Sequence, residues 1–309
     1  MVQLKRAMPS IRHHLIVAFL RLTRRKRVYA TVEGMYAGVA QVRRAGPARP
    51  SQRLQKRVQV TRHQDGPHEV YTLRPRAPSA QAPHLLYLHG GAYIRPITPF
   101  HWDLLADLVE RTGCVATVPL YPLAPEHSCE QTLEMVLRVH ARLFAEAGPS
   151  RPSRLTIAGD SAGGGLALAL ALALRDRGLP PADHLALITP WVDVALTHPQ
   201  IKDTAPTDPM LAVPGAQEAG RRYAGHWPIH HPYVSPLHAE LHGLPPTTLL
   251  IGTRDILCHD AQALADKLVA HGTAVQVHMG EGMIHVWPLL PIAEAQQARA
   301  VLAQAIRPG

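Results

Sequence analysis

The stretch "IAGDSAGGGLALALALALRDRG", residues 157–178, has the pattern of a short strand that turns directly into a long helix. Ser161 stands at the bend, with glycines at positions 159, 163, 164 and 165 around it. An ordinary tight turn needs one or two glycines, so four of them indicate a cramped backbone that other atoms approach closely. Residues 159–163 fit G-x-S-x-G, the pattern of a nucleophile elbow, in which a strained strand-to-helix turn exposes a serine hydroxyl.

Short apolar stretches alternate with helix-like patterns along the chain around this bend. The candidate strands cover residues 84–89, 114–119, 154–159, 184–190, 247–252 and 274–279. The candidate helices cover residues 101–112, 129–147, 161–177, 260–271 and 292–306. Two earlier strand-like stretches, 57–62 and 68–75, flank a turn at Asp65 and Gly66. This alternation predicts an α/β fold with a mostly parallel central sheet and helices on both faces.

Two regions interrupt the alternation. Residues 1–45 have helix-like apolar spacing that ends at the turn-forming stretch "AGPARP". Residues 197–245 are rich in Pro, His and Gly and predict an insertion over the carboxyl edge of the sheet, where such folds bind ligands. We therefore predict a basic, helical amino-terminal segment over residues 1–50 and a main domain over residues 51–309 that contains the insertion.

Basic residues are concentrated at one end of the chain. Residues 1–62 hold 15 Lys and Arg against the single acid Glu33, whereas the rest holds 17 Lys and Arg against 22 Asp and Glu. Such a segment can meet an anionic membrane surface or nucleic acid. No alternation of basic and aromatic residues supports nucleic-acid binding. We favour a helical arm packed on the acidic body of the protein over contact with a membrane.

The cysteines and the amino-terminal sequence indicate a cytoplasmic protein. Cys114, Cys129 and Cys258 have no metal-like spacing, which predicts reduced thiols. The longest apolar run near the amino terminus, residues 15–20, is far shorter than the roughly 20 residues that span a membrane. Basic residues follow it without a small-residue cleavage site, a pattern that is not typical of a secretory signal.

A serine at an elbow needs a base, an acid that orients the base, and hydrogen-bond donors for a developing oxyanion. In folds of this kind the acid and then the base follow the serine along the chain. His285 lies in a loop after the last predicted strand, and Asp255 ends the strand before it. Asp193 and Asp260 are alternative acids. We favour Asp255, because Asp260 fits the start of the next helix.

Candidate oxyanion donors follow the first strand of the alternating region. Gly90 and Gly91 come directly after His89 there, and consecutive glycines let backbone N–H groups approach a reacting carbonyl. The N–H of Ala162 opens the helix after Ser161, where the helix dipole also favours negative charge. We predict Gly90, Gly91 and Ala162 as the oxyanion donors and His89 as a residue that shapes the loop.

Six ordered motifs give the chain a family resemblance. They are HGGAY (89–93), YPLAPEH (121–127), GDSAGG (159–164), TPWVD (189–193), GTRDIL (252–257) and GMIHVW (282–287). With these motifs in this order across residues 84–305, the chain resembles the hormone-sensitive-lipase-like (bacterial family IV) esterases and acetyl hydrolases of the α/β-hydrolase superfamily. Ala92 departs from that pattern, because a third glycine usually stands at its position.

The resemblance implies an α/β-hydrolase fold with a helical cap, built from the amino-terminal helices and the 197–245 insertion. It implies a serine carboxylesterase for short- to medium-chain acyl esters, in which Ser161, Asp255 and His285 form the catalytic triad. Tyr93 and Asp160 are expected at the substrate-binding site, and Asp160 also to anchor neighbouring loops through hydrogen bonds. The implied enzyme needs no cofactor or metal, binds a small ester substrate and is a monomer or a homodimer.

Two other functions stay open. An amidase or N-acetyl hydrolase acting on a small metabolite would use the same triad on a different bond. A ligand receptor built on a hydrolase scaffold is a more distant alternative, and such a protein would lack a triad member, usually the histidine. Ser161, Asp255 and His285 are all present, which disfavours a receptor.

Overall fold

A nine-stranded sheet forms the centre of the computed structural model, which describes residues 2–3, 9–77, 79, 81–147 and 153–307. Its strands are β1 (Val2–Gln3), β2 (Gln59–Asp65), β3 (His68–Arg74), β4 (His84–Leu88), β5 (Val115–Pro119), β6 (Leu155–Asp160), β7 (His184–Ile188), β8 (Thr247–Arg254) and β9 (Val275–Ile284). Their order across the sheet is β1-β9-β8-β7-β6-β4-β5-β3-β2. The first seven strands in this order, which end with β5, pair with one another in parallel. Strand β3 pairs antiparallel with both β5 and β2.

The helices alternate with the strands, as predicted. They are α1 (Ile11–Leu22), α2 (Arg27–Ala30), α3 (Val32–Ala45), α4 (Gln52–Arg57), α5 (Pro99–Thr112), α6 (Cys129–Ala147), α7 (Ala162–Asp176), α8 (Ile201–Thr204), α9 (Val213–Ala224), α10 (Cys258–Ala270) and α11 (Ala293–Ile306). Every predicted strand and helix from residue 57 onward is present, and the ends differ by a few residues. The mostly parallel α/β fold is therefore confirmed.

Side chains that alternate along the strands build a core on each face of the sheet. On β4, Leu85 and Tyr87 join the core that contains residues of α5 and α11. Leu86 and Leu88 join the opposite core, which contains residues of α6 and α7. Because successive strand residues point to opposite faces, a central strand covered by helices on both sides is apolar throughout. The carboxyl ends of the parallel strands are thereby held in register at one edge.

The two regions that interrupt the alternation contact each other above this edge. Helices α2 and α3 pack on α9, which belongs to the insertion. A Cβ on Gly215 of α9 would lie 2.7 Å from Tyr29 Cα, so the glycine permits close contact between the helices. The Tyr36 hydroxyl donates to Glu218 Oε1 at 2.8 Å. This contact has the arrangement expected of a cap, while the division of the chain at residue 50 stays a prediction.

Helix α1 lies across the end of β9 and the start of α11. Ser10 caps the helix by accepting a hydrogen bond from the N–H of His13 at 3.2 Å, and its hydroxyl donates to Glu294 at 3.0 Å. His13 and Val17 are buried on the inner face of the helix. In the described part of the chain, no helix combines the length and the apolar character that crossing a membrane requires.

Candidate active site

The predicted nucleophile elbow lies between β6 and α7. Ser161 is the residue between them, with φ +53° and ψ −122°, a conformation that is strained for a residue with a Cβ. Its N–H donates to the carbonyl of Ile188 at 2.9 Å, and its carbonyl accepts from the N–H groups of Gly165 and Trp191. These three bonds hold the strained residue in place, with its hydroxyl at the carboxyl edge of the sheet.

The glycines around Ser161 are required by close backbone contacts. A Cβ on Gly159 would overlap the carbonyl oxygen of Gly163, and a Cβ on Gly163 would overlap the carbonyl oxygen of Leu88. Strands β6 and β4 and the first turn of α7 therefore meet at distances that only glycine allows. The cramped backbone predicted from the glycine spacing is confirmed.

Three side chains from separate parts of the chain form one hydrogen-bonded row. His285 Nε2 lies 2.9 Å from Ser161 Oγ, and His285 Nδ1 lies 2.7 Å from Asp255 Oδ2. Asp255 follows β8 and His285 follows β9, so adjacent parallel strands deliver the acid and the base to the same edge. The exposed fractions are 7% for Ser161, 4% for His285 and 0% for Asp255. This is the geometry of a nucleophile, a base and an orienting acid.

The carboxylates near His285 determine its protonation. Burial by itself would lower the pKa of His285, but the charge and hydrogen bond of Asp255 outweigh it, with smaller contributions from Asp208 and Asp160. The pKa of His285 is therefore raised above its usual 6.5. Asp255 stabilises the imidazolium that forms whenever His285 takes a proton.

Asp208 is a residue of this site that the sequence analysis missed. It is buried, and its Oδ2 accepts from the N–H of Ile256, the residue after Asp255, at 3.1 Å. Burial, with the nearby charge of Asp255, raises the pKa of Asp208 to about 6. In the sequence, Asp208 lies within the insertion and does not follow a predicted strand. Its local sequence therefore gives no indication that the residue lies beside Asp255.

The two alternative acids lie elsewhere. Asp193 accepts hydrogen bonds from the N–H of Ala195 at 3.1 Å and from the hydroxyl of Thr197 at 2.8 Å. Asp260 is the third residue of α10 and is buried, and burial raises its pKa to about 7. Neither carboxylate shares a hydrogen bond with His285 among the described residues. The geometry therefore singles out Asp255.

The predicted set of oxyanion donors needs a correction. The N–H of Gly90 donates to Asp160 Oδ1 at 2.9 Å, so that group is already used inside the protein. By contrast, the N–H groups of Gly91, Ala92 and Ala162 have no acceptor within the described residues. Gly91 and Ala92, in the turn after β4, have positive φ values of 132° and 54°. Ala92 thus replaces Gly90 as a candidate donor.

The predicted contact of Asp160 with substrate is also corrected. Asp160 is buried and accepts from the Tyr87 hydroxyl at 2.7 Å as well as from Gly90, and its other oxygen lies 3.3 Å from His101 Nε2. Burial alone would raise the pKa of Asp160, but His101, Tyr87 and the Gly90 N–H outweigh it and lower the pKa. Asp160 therefore anchors the loop after β4, as its second predicted role requires.

Tyr93 does not reach an open surface either. It is 1% exposed, and its ring stacks on those of Tyr223, at 3.5 Å between centroids, and Trp191, at 5.7 Å. A Cβ on Gly165 would lie 2.6 Å from the Tyr93 hydroxyl, so the ring packs against the first turn of α7. In this structure Tyr93 forms part of the wall behind the elbow and makes no contact open to a substrate.

One group outside the Ser161, His285 and Asp255 row has the donor atoms for a metal ion. Among the described residues, Asp193, His230 and His238 bring a carboxylate oxygen and two imidazole nitrogens within 4.8 Å of one another. His230 and His238 are exposed, and His238 Nε2 lies 3.4 Å from Asp193 Oδ1. No metal site is predicted from the sequence, and in the part of the chain that the structure describes this group shares no hydrogen bond with Ser161 or His285.

Comparison with known sequences identifies relatives of the chain. Residues 85–289 match the model of a family described as having the α/β-hydrolase fold. LipR of Mycobacterium tuberculosis, which bears an acetyl-hydrolase name, is 37% identical over 239 residues, which is 74% of this chain and 75% of LipR. A protein of Acinetobacter venetianus named esterase is 30% identical over 223 residues, 71% of this chain and 73% of its own.

Solved structures resemble the whole molecule. A crystal structure titled as an esterase of the bacterial hormone-sensitive lipase family superposes with a TM-score of 0.82 and 27% identity. The match covers 98% of this chain and all of that one. The family model, the relatives and this likeness agree with one another. The chain therefore belongs to the α/β-hydrolase fold family, in its group of hormone-sensitive-lipase-like esterases and acetyl hydrolases.

Proposed function

We propose that this protein is a serine carboxylesterase that hydrolyses short- to medium-chain acyl esters. The observation that carries the proposal is the row of contacts from Ser161 Oγ to His285 Nε2 at 2.9 Å and from His285 Nδ1 to Asp255 Oδ2 at 2.7 Å. Relatives named esterase and acetyl-hydrolase support the same class of reaction.

Acylation begins when His285 Nε2 accepts the proton of Ser161 and the freed Oγ attacks the ester carbonyl carbon. The carbonyl electron pair moves onto its oxygen, and the N–H groups of Gly91, Ala92 and Ala162 donate to the oxyanion. Losing one such donor typically costs about 3 kcal/mol of transition-state stabilisation. Asp255 accepts from Nδ1–H throughout, which holds the imidazole in the required tautomer and stabilises its charged form.

Collapse of the tetrahedral intermediate breaks the bond between the carbonyl carbon and the alcohol oxygen. His285 donates its new proton to that oxygen, and the alcohol leaves an acyl group on Ser161. Water then gives a proton to His285 and attacks the acyl carbon. The second collapse releases the carboxylic acid and returns the proton to Ser161.

The space beside Ser161 supports a preference for compact acyl groups. The stacked rings of Tyr93, Trp191 and Tyr223 fill the region against the first turn of α7. Ser161 and His285 are themselves nearly buried, so little open space adjoins them in this structure. A long acyl chain would have to displace large, well-packed side chains, which is energetically unfavourable.

A series of p-nitrophenyl esters from acetate to palmitate tests the proposed function. We expect the highest kcat/KM between acetate and octanoate, and a value for palmitate at least about tenfold lower, because its chain does not fit the packed site. The p-nitroanilides of acetate and butyrate serve as matched amide substrates. Inertness toward every ester, or faster cleavage of the anilides, would contradict the proposal, and the second result would identify an amidase.

The rate is expected to fall in acid, because the base in this mechanism is neutral His285. Asp255 and the other nearby carboxylates raise its pKa above 6.5, so the acid limb of kcat/KM should have its midpoint above pH 6.5. Asp208→Asn should move that midpoint to lower pH, since it removes one of these carboxylates. Profiles of kcat/KM for p-nitrophenyl butyrate test this, and a wild-type rate that stays flat down to about pH 4 would refute the role of His285.

A further inference from the structure

Helix α1 carries a row of exposed apolar side chains. Seven large apolar side chains are exposed in the described part of the chain, and four of them lie on this one helix. Their exposed fractions lie between 63% and 82%. We call these four residues the α1 stripe: Ile11, Leu15, Phe19 and Leu22. Single exposed apolar residues are normal in proteins, whereas a contiguous row marks a surface that binds something apolar.

The stripe is a distinct face of the helix. At about 100° per residue, its four members fall within an arc of about 80°. His13 and Val17 lie on the opposite side and are buried against the body of the protein. The helix is thus attached by the face that carries His13 and Val17 and presents the apolar stripe outward. The helical arm packed on the body of the protein, which the sequence predicts, accounts only for the buried face of α1.

Positive charge borders the stripe. Arg12 lies on one side of it and Arg21 on the other, and both are exposed. Exposed arginines also continue past the end of the helix, at Arg24, Arg25 and Arg27. A cavity of about 870 Å³ opens beside the start of α1, and its lining holds the arginines Arg12, Arg49, Arg53, Arg57 and Arg299 together with Asp103 and Asp107. Apolar side chains framed by arginines complement a surface that is apolar inside and anionic outside.

We propose that the α1 stripe docks this protein on an anionic lipid bilayer, with the stripe among the acyl chains and the flanking arginines at the head groups. Burial of four large apolar side chains supplies attraction that does not depend on salt. Each arginine near the surface adds electrostatic attraction that salt screens. A helix lying in the interface in this way needs no membrane-spanning length.

The position of α1 connects this surface with the catalytic site, a connection that rests on the proposed function. Just after the helix, Lys26 donates to the carbonyl oxygens of Ala205 and of Asp208, the latter at 3.1 Å. The Asp208 side chain in turn accepts a hydrogen bond from the N–H of Ile256, the residue after Asp255. The loop next to the triad acid is thus tied to the segment that follows α1. Docking would bring the carboxyl edge of the sheet close to esters held in the bilayer.

Sedimentation with lipid vesicles tests the docking. The probes are vesicles of phosphatidylcholine alone and of phosphatidylcholine with one-third phosphatidylglycerol, at low and high salt. We expect the full-length protein to bind the anionic vesicles more strongly than the neutral ones, and less as salt rises. The double variant Leu15→Ser, Phe19→Ser should partition onto anionic vesicles at least about tenfold more weakly. Val269→Ser, an equally exposed apolar site on α10, is the matched control and should bind like wild type.

The outcomes separate docking from catalysis and from self-association. Wild-type protein that stays in the supernatant with anionic vesicles, or a double variant that binds as well as wild type, would overturn the proposal. A wild-type dimer that the double variant dissociates, without vesicle binding, would identify the stripe as an interface between two copies instead. Far-ultraviolet circular dichroism and the melting temperature check the fold of each variant without relying on esterase activity. Wild-type protein that binds vesicles but cleaves no ester would retain the docking and refute the proposed function.

Discussion

Replacement of Ser161 by Ala is expected to lower kcat/KM for p-nitrophenyl butyrate by at least about a thousandfold. The substitution removes Oγ, the atom that lies 2.9 Å from His285 Nε2 and would form the acyl bond. The N–H groups of Gly91, Ala92 and Ala162 remain, so some activity above that of water should persist. The measurement is steady-state kinetics on purified wild type and variant, side by side.

Two controls make the loss at Ser161 interpretable. Ser153→Ala removes the same hydroxyl group from an exposed serine, and this variant should keep wild-type kinetics. The melting temperature of Ser161→Ala should stay close to that of wild type, because alanine has the same backbone restrictions as serine at φ +53°. A Ser161→Ala protein that is folded and keeps more than about a tenth of the wild-type rate would show that the nucleophile is elsewhere.

Asp255→Asn is expected to lower kcat by about a thousandfold to ten-thousandfold, through its effect on His285. The carboxylate of Asp255 accepts from His285 Nδ1 at 2.7 Å, and an amide in its place favours the wrong tautomer and removes the charge that stabilises the imidazolium. The remaining activity should show its acid limb at lower pH, because Asp255 is the main group that raises the pKa of His285. Kinetics across the pH range measure both effects.

Asp260→Asn is the matched control for this experiment. Asp260 is also a buried carboxylate near the start of α10, but it shares no hydrogen bond with His285 among the described residues. Its substitution should leave both kcat and the acid limb close to those of wild type. A large loss in Asp260→Asn together with a small loss in Asp255→Asn would reverse the assignment of the triad acid.

Local sequence predicts best the elements of the fold and the residues of the proposed triad. The strands and helices follow from apolar runs and their period, since a strand buried on both faces must be apolar throughout. Ser161 follows from its glycines, which are required wherever backbones meet closely. Asp255 and His285 follow from their places after successive strands, because parallel strands end at one edge. Each of these features depends on residues that lie close together in the sequence, so a single sequence is enough to recognise it.

Contacts between distant residues explain what local sequence could not predict. Gly90 and Gly91 are equivalent in the sequence. In the structure, Asp160, 70 residues later, accepts from the Gly90 N–H, whereas those of Gly91 and Ala92 have no acceptor among the described residues. Because it accepts this hydrogen bond, the Asp160 carboxylate faces inward and is not open to a substrate. Asp208 reaches the triad because the insertion folds back over the sheet edge.

The sequence by itself determined the α/β architecture, the strained serine and the order of the proposed acid and base, because each depends on residue type and spacing along one segment. The tertiary structure decided which amides lack an acceptor among the described residues, which buried carboxylates lie near His285, and that Tyr93 lies within an aromatic wall. It also decided which face of α1 is covered, since apolar residues lie on both sides of this helix. Which face is covered depends on packing against β9 and α11, and that packing joins residues almost 300 positions apart.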